Sequence, residues 1–325
     1  MKKDEAFPKT LIEAVRYFSD PDTALGCMVA IRWPDGITCP RCDSDRHSFV
    51  KTRRIWICLA CKKHFSVRLG TIMEDSPIGL DKWLTAIWLI VSAKNGISSY
   101  EVHRALGITQ KSAWFLLHRI RKAMQAGTFQ KLAGEVEVDE TYIGGKARNM
   151  HRGALAKRVA EFATPRTGRN QTTGKIAVMG LLERHGEVRT MVVEGTKRRH
   201  LHGEVTQHVE AGSRVYTDAL RSYNQLGDEF THGVINHAER YVDGIVHTNG
   251  LENFWSCLKR TIGGTYISVE PFHLFRYLDE QAFRFNNRKG NDSDRFLKAA
   301  QNITGKRLTY KELTGKEPKG YEISH

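Results

Sequence analysis

The sequence lacks any run of about eighteen uncharged apolar residues, the minimum for a bilayer-spanning helix. Its longest candidate, Trp83 to Ala93, is too short, so no membrane span is expected. The opening Met1-Lys2-Lys3-Asp4-Glu5 is not followed by the apolar stretch of a secretory leader. An intracellular, cytoplasmic location is therefore expected. Cysteine is scarce: six in 325 residues, four of them in two tight pairs. In a reducing compartment such pairs point to metal rather than to disulfides. Negative charge is the scarcer sign, with 36 Asp and Glu against 50 Lys and Arg, a formal charge of +14. A surplus that large points to a polyanion, most often nucleic acid, because neutralised phosphates release their counterions. The plainer reading is a charge that serves solubility alone. No internal repeat is evident.

Hydrophobic residues make up 40% of the chain, enough for a folded protein and too many for a disordered tail. The length allows two or three small domains. Residues 1–34 carry a helical apolar pattern (Leu11, Ala14, Val15, Phe18) and predict a lead-in helix. Residues 35–70 are turn-rich, and residues 78–125 read as several helices. A linker is expected over 127–134. From Glu135 the pattern alternates as in strands, at Val136-Glu137-Val138, Ile176 to Gly180, Val188 to Val193 and Ser213 to Thr217. Helices are expected over 200–209, 250–260 and 271–286. Strands mixed with helices over 135–290 predict an α/β domain. Residues 291–325 read as a polar, peripheral tail.

Cys39-Pro40-Arg41-Cys42 is followed, after a gap of fifteen residues, by Cys58-Leu59-Ala60-Cys61. Two thiolates in each of two tight turns can complete one tetrahedron, the pattern of a structural zinc site. Four protein ligands leave no open position, so this Zn²⁺ would hold structure rather than react. A rubredoxin-like iron site is the competing reading. Arg53 to Ile57 suits a ribbon hairpin, and Lys51, Arg53, Arg54, Lys62 and Lys63 would suit DNA or protein. Cys27 and Cys257 read as ordinary buried thiols.

Ser98 stands three residues before Glu101, the spacing of a capping box. Gly107 ends that helix, and Thr109 is placed to cap a second one running through Ala113 to Arg121. A short helix, a Gly turn and a second helix with a basic C-terminal half predict a helix-turn-helix. Gln110, Lys111 and Ser112 would then meet base edges, with Arg119 on the same basic helix. A plain helical hairpin is the alternative.

Asp139 follows one strand-like run and Asp218 another, so both are expected at or near strand ends. Glu252 opens a predicted helix, with Lys259 two turns further on the same face. Three gathered carboxylates repel one another unless cations neutralise them. Oxygen ligands of this kind call for Mg²⁺ or Mn²⁺, and a pair of such ions can activate a water or a 3′-hydroxyl. Each carboxylate alone is weaker: an Asp after a strand is usually a turn former or cap. Alternation puts Glu140 on the opposite face from Asp139.

At this point the sequence resembles a family. Val138-Asp139-Glu140-Thr141-Tyr142-Ile143-Gly144-Gly145-Lys146 resembles the first catalytic motif of bacterial insertion-sequence transposases of the ISXO-like group. Tyr216-Thr217-Asp218 followed by Tyr223 is similar to their second motif. His247 through Asn249, Glu252 and Trp255 to Lys259-Arg260 resembles the third. The likeness covers nearly the whole chain, ribbon included. It implies a multidomain protein: a zinc ribbon, a helix-turn-helix region, and an α/β RNase H-like catalytic domain of the DDE type. The implied activity is hydrolytic nicking at the element's terminal inverted repeats, then attack of the freed 3′-hydroxyl on target DNA, with paired ends implying a homo-oligomer. In this group the third metal ligand is Asn or Glu. Glu252 is favoured by its spacing to Lys259, and Asn249 is either its substitute or the N-cap of that helix. Lys259, with Arg260 beside it, would contact phosphate.

Between Lys146 and Lys175, the basic residues Arg148, Arg152, Lys157, Arg158, Arg166 and Arg169 face only Glu161, and this insertion is expected to track DNA backbone. Tyr142 and Trp255 flank the expected site. His232, His237 and His247 are candidates for proton transfer. Glu280 and Arg284, four apart, read as an ordinary helix ion pair. Two other readings compete with the transposase. One is a DNA-binding regulator with a dead catalytic domain. The other is a nuclease or resolvase of the same fold.

Overall fold

The computed structural model describes residues 7–125, 130–145, 147–161, 173–218, 221–223, 226–235 and 247–315. In chain order the elements are α1 (Leu11–Ser19), α2 (Pro21–Arg32), β1 (His47–Val50), β2 (Ile55–Cys58), β3 (His64–Phe65), α3 (Leu80–Ser92), α4 (Ser99–Leu106) and α5 (Gln110–Met124). Then follow β4 (Glu135–Ile143), α6 (Arg152–Glu161), β5 (Ile176–Glu183), β6 (Val188–Val193), α7 (Arg198–His208), β7 (Arg214–Asp218) and β8 (Thr231–Ile235). The chain closes with α8 (Asn249–Arg260), α9 (Leu274–Asn286), α10 (Asp292–Gln301) and α11 (Tyr310–Thr314). Two compact units result: residues 1–125 with 287–325, and residues 126–286.

The first unit begins with two helices where one was expected. Thr10 and Glu13 form a capping box for α1, and Asp20 caps α2 with Pro21 in its first turn. Ala14 and Phe18 are buried, whereas Leu11 and Val15 are exposed. Phe18, Trp88 and Phe296 meet ring to ring, with centroids 5.3 and 5.5 Å from Phe296. Phe296 lies on α10, so the expected peripheral tail is corrected. Its apolar positions Phe296, Ala299, Ala300 and Ile303 are buried, and Asn302 donates to the carbonyl of Ala123. Residues 316–325 lie outside the described part.

In the second unit five strands form one sheet, ordered β6-β5-β4-β7-β8. β5 is antiparallel to both its neighbours, β6 and β4, and β7 and β8 run parallel to β4. One face packs Val136, Val138, Met179 and Val215 against Leu201 and Val205 of α7. The other packs Val178, Leu182 and Val188 against Leu251, Phe254 and Leu258 of α8 and Leu278 of α9. The alternation read from the sequence is this two-sided burial.

Candidate functional site

The four cysteines come together at the ribbon's turns. Sγ of Cys39 lies 3.8 Å from that of Cys61, and Sγ of Cys42 lies 3.5 Å from that of Cys58. A tetrahedral ion with sulfur at about 2.3 Å separates its ligands by about 3.8 Å, so the donor set fits zinc. The backbone N–H of Cys61 donates to Sγ of Cys58 at 3.4 Å, which favours the thiolate a metal needs. Among the described residues this is the one group of three or more such ligands whose donor atoms all lie within 4.8 Å. Cys27 is buried, and burial pushes its thiol up to about 12. Cys257 is only half-buried, which corrects its expected burial.

The capping predicted for the helical pair is present. Ser98 and Glu101 cap α4, Gly107 takes the left-handed φ of +58° that ends it, and Thr109 caps α5. Lys111 is exposed, with its ammonium over the Tyr310 ring. Gln110 is half-buried and donates to Ser99, and Ser112 accepts from Thr109. Arg119 is a correction. It is 4% exposed, donates to the carbonyl of Glu74, and stacks between Trp83 and Phe115. Arg121 is buried as well. The apolar stripe Leu116, Ile120 and Ala123 includes position 119 on its inward side, so the basic half of α5 is not a free cationic surface.

Asp139 stands in the middle of β4, not at its end, because Thr141 and Ile143 continue the pairing with β5. Pairing with β7 stops earlier, at Glu137 and Tyr216. Two residues further along each strand stand Asp139 and Asp218, side by side where β7 ends. Such crevices at the carboxyl ends of parallel strands are where α/β sheets hold ligands. The Asp139 carboxyl is raised to about 6, by burial first and then by Asp218, with Glu252 adding to the effect. Its Oδ1 accepts the N–H of Glu140, and its Oδ2 accepts the indole N–H of Trp255 at 2.9 Å. Trp255 is thus both buried, as core, and bonded to the site. Glu140 faces the other side, as alternation required, and accepts the Tyr223 hydroxyl at 2.6 Å. Burial again dominates in raising it, to about 7.

Glu252, Ser256 and Lys259 lie on the exposed face of α8, with Asn249 at its first position and Arg260 exposed at its end. The N-cap is Thr248, which removes Asn249 from that role. Glu252 is near enough to raise Asp139 electrostatically, though the three carboxylates are gathered less tightly than the four thiols. Two glycines to which the sequence assigned no packing role bring α8 onto the sheet. A Cβ at Gly180, opposite Asp139, would lie 2.6 Å from the Trp255 ring. One at Gly250 would meet Leu182 and Glu137. The available signal was a glycine inside an apolar strand.

Tyr142 packs into the α7 side and bonds Thr196. His232 bonds Thr217, and burial lowers its pKa. Nδ1 of His247 lies 3.3 Å from Glu137. Arg148 and Arg152 are exposed, and α6 gives part of the basic insertion a helical form. Lys146, Arg166, Arg169 and His237 lie outside the described residues. The Glu280–Arg284 pair is present but buried, and Glu280 also accepts the Tyr266 hydroxyl.

Family comparison meets this arrangement at both units. Residues 131–286 match the ISXO2-like transposase domain, and residues 19–64 match a transposase zinc-ribbon domain. The chain is a transposase by class, and it belongs to the ISXO2-like family. A Halobacterium salinarum protein named as an uncharacterized protein in transposable element ISH50 is 24% identical over 253 residues, which span 76% of this chain and 84% of that protein. An uncharacterized transposase-like protein of Haemophilus influenzae is 35% identical over 102 residues, which span 31% of this chain and 82% of the relative. No helix among the described residues is long and apolar enough to cross a membrane.

Proposed function

We propose that this protein is a DDE-type transposase. It would recognise the terminal inverted repeats of its element and catalyse metal-dependent strand cleavage and strand transfer into target DNA in the cytoplasm. The observation that carries the reading is the nearness of Asp139 to Asp218 at the end of β7. The Asp139 carboxyl there is raised by burial, by Asp218 and by Glu252. Carboxylates gathered this way are a donor set suited to divalent cations. The sheet order, with three antiparallel strands followed by two parallel ones, supports an RNase H-like fold.

Asp139, Asp218 and Glu252 would hold Mg²⁺ or Mn²⁺. When bound, those ions supply Lewis-acid activation of a water or 3′-hydroxyl and stabilise the leaving oxygen. In cleavage, water attacks the terminal phosphodiester and the P–O3′ bond breaks, freeing a 3′-hydroxyl. In transfer, that hydroxyl attacks a target phosphodiester and displaces its 3′-oxygen. Trp255 orients Asp139 through its indole N–H, and Lys259 and Arg260 would hold phosphate beside the cut. Glu252 is the preferred third ligand because its charge already reaches Asp139, with Asn249 as the competing donor. The zinc-bearing ribbon and the α4–α5 pair, as a helix-turn-helix, would bind the ends through Gln110, Lys111 and Ser112. Arg148 and Arg152 would follow the backbone, and two ends would be held by a homo-oligomer.

The test is a strand-transfer assay on plasmid DNA carrying the element ends, with Mg²⁺ or EDTA. Asp139→Ala, Asp218→Ala, Glu252→Ala and Asn249→Ala would run beside the parent. Metal-dependent joining lost in both aspartate variants is expected, and the last two variants identify the third ligand. Specific end binding without cleavage would instead make this chain a DNA-binding regulator.

A further inference from the structure

Glu137 precedes Asp139 by two residues on β4 and shares its face of the sheet. Its side chain is only 2% exposed, and a carboxylate buried among apolar strands is costly unless its oxygens are satisfied. Here both have partners. Oε2 accepts the backbone N–H of Leu251, in the first turn of α8, at 3.1 Å. Oε1 accepts Nε of Arg184 at 3.1 Å. Arg184 then donates through Nη2 to the carbonyl of His247, just before α8, at 2.9 Å. Its guanidinium also lies 4.3 Å from the centre of the Tyr216 ring and donates to Glu135.

The first amides of an α-helix have no partner within the helix, and an N-cap side chain usually supplies one. Thr248, at the N-cap of α8, makes no such side-chain bond. Glu137 provides the acceptor from the neighbouring strand, and its charge complements the positive end of the helix. Gly250 permits the approach, since a Cβ there would sit 2.7 Å from Oε2 of Glu137 and 2.4 Å from Leu182.

We propose that Glu137 and Arg184 form a clamp that fixes the first turn of α8 on the sheet and so sets where Glu252, one residue beyond the bonded amide, stands relative to Asp139 and Asp218. Glu137 is a positioning residue; it acts through the helix and not on the reacting atoms. The inference rests on the proposed function, because placement of Glu252 matters to chemistry only if it joins the aspartates in holding a cation.

Two measurements on the full-length, zinc-loaded chain test it: amide exchange across residues 247–258 without added divalent ions, and Mn²⁺ binding by electron paramagnetic resonance. In Glu137→Ala, the first turn of α8 is expected to exchange about tenfold faster or more, and Mn²⁺ affinity to fall by about tenfold or more. Glu137→Gln keeps an oxygen for the Leu251 amide and should restore slow exchange. Val205→Ala, a core truncation on the opposite face, should lose stability without either effect. Unchanged exchange in Glu137→Ala overturns the clamp. Faster exchange with parental Mn²⁺ affinity, or an equal affinity loss in Val205→Ala, overturns the positioning role. A parent that binds no Mn²⁺, or whose binding survives Asp139→Ala, overturns the catalytic reading and the positioning role with it. The exchange result still decides whether the clamp exists.

Discussion

Gly180→Ala tests how closely α8 must lie on the sheet. The added methyl carbon would sit 2.6 and 2.8 Å from two carbons of the Trp255 indole and 2.9 Å from Cδ2 of Leu251. Carbons in contact prefer about 3.5–4.0 Å, so the shortfall is about 1 Å. The indole has little room to yield, being 4% exposed, packed on Phe254 and bonded through Nε1 to Asp139. The helix must lift instead, at an overpacking cost of about 1–3 kcal/mol. Because Trp255 and Glu252 share α8, a lift near 1 Å also displaces groups beside Asp139, and misplacement of that size costs on the order of a hundredfold in rate. Urea unfolding and Mg²⁺-dependent cleavage of an element-end duplex measure the two effects. Gly203→Ala is the control. It lies within α7 with nothing within 4 Å of its new methyl, and should be neutral or stabilise by up to about 1 kcal/mol. A Gly180→Ala protein with parental stability and rate would refute the reasoning.

Raised carboxyls make the cation-free protein pH-dependent. Asp139 moves from 3.8 to about 6 and Glu140 from 4.5 to about 7, so between about pH 4 and pH 7 the folded state binds more protons than the unfolded chain and stability falls as pH rises. Urea titrations without Mg²⁺ should show this, with a contribution from Asp139 of at most about 3 kcal/mol. Asp139→Asn should flatten the slope while abolishing cleavage, and a steeper slope in that variant would contradict the account. Chelation strong enough to strip zinc should release one ion per chain and loosen the ribbon, read by a colorimetric zinc assay; Cys58→Ser should arrive metal-poor. Arg119→Ala should lower the unfolding free energy by about 2–3 kcal/mol through loss of a buried, bonded cation. Its salt dependence of end binding should stay parental, whereas Lys111→Ala should reduce the slope by about one.

The legible parts of this chain are those set by near neighbours in sequence. Cys39 to Cys61 announced a four-thiol cluster by spacing alone, Ser98 and Thr109 marked helix starts through bonds to amides three residues on, and Gly107 marked a helix end. What stayed hidden depends on distant partners. Thr231–Ile235 contains a His and a Gly and becomes strand β8 only by lying beside β7. Asp139 was expected at or near a strand end because it follows the run Val136 to Val138, yet pairing with β5 carries β4 on to Ile143. Phe296, Ala299, Ala300 and Ile303 carried a helical apolar stripe, and the polar residues around them concealed it. Arg119 was counted as surface charge although its position falls on the inward face of α5.

The carboxylates of β4 show why residue type alone does not separate structural acids from reactive ones. Glu135 and Glu137 are both drawn into contact with Arg184, and Glu135 with Arg214 as well. Their charge is met within the fold. Asp139 and Glu140, a few residues along the same strand, answer instead to burial, to each other's neighbourhood and to Asp218. Among the described residues, their hydrogen bonds come from an indole, an amide and a phenol, which orient an oxygen without cancelling its charge. Among the described residues, the strand therefore passes from acids met by arginine to acids met by dipoles as it leaves β7. Buried acids of this kind lower stability unless positive charge is supplied to them. At Asp139, a divalent ion held with Asp218 and Glu252, as proposed, would supply that charge and activate a water or 3′-hydroxyl.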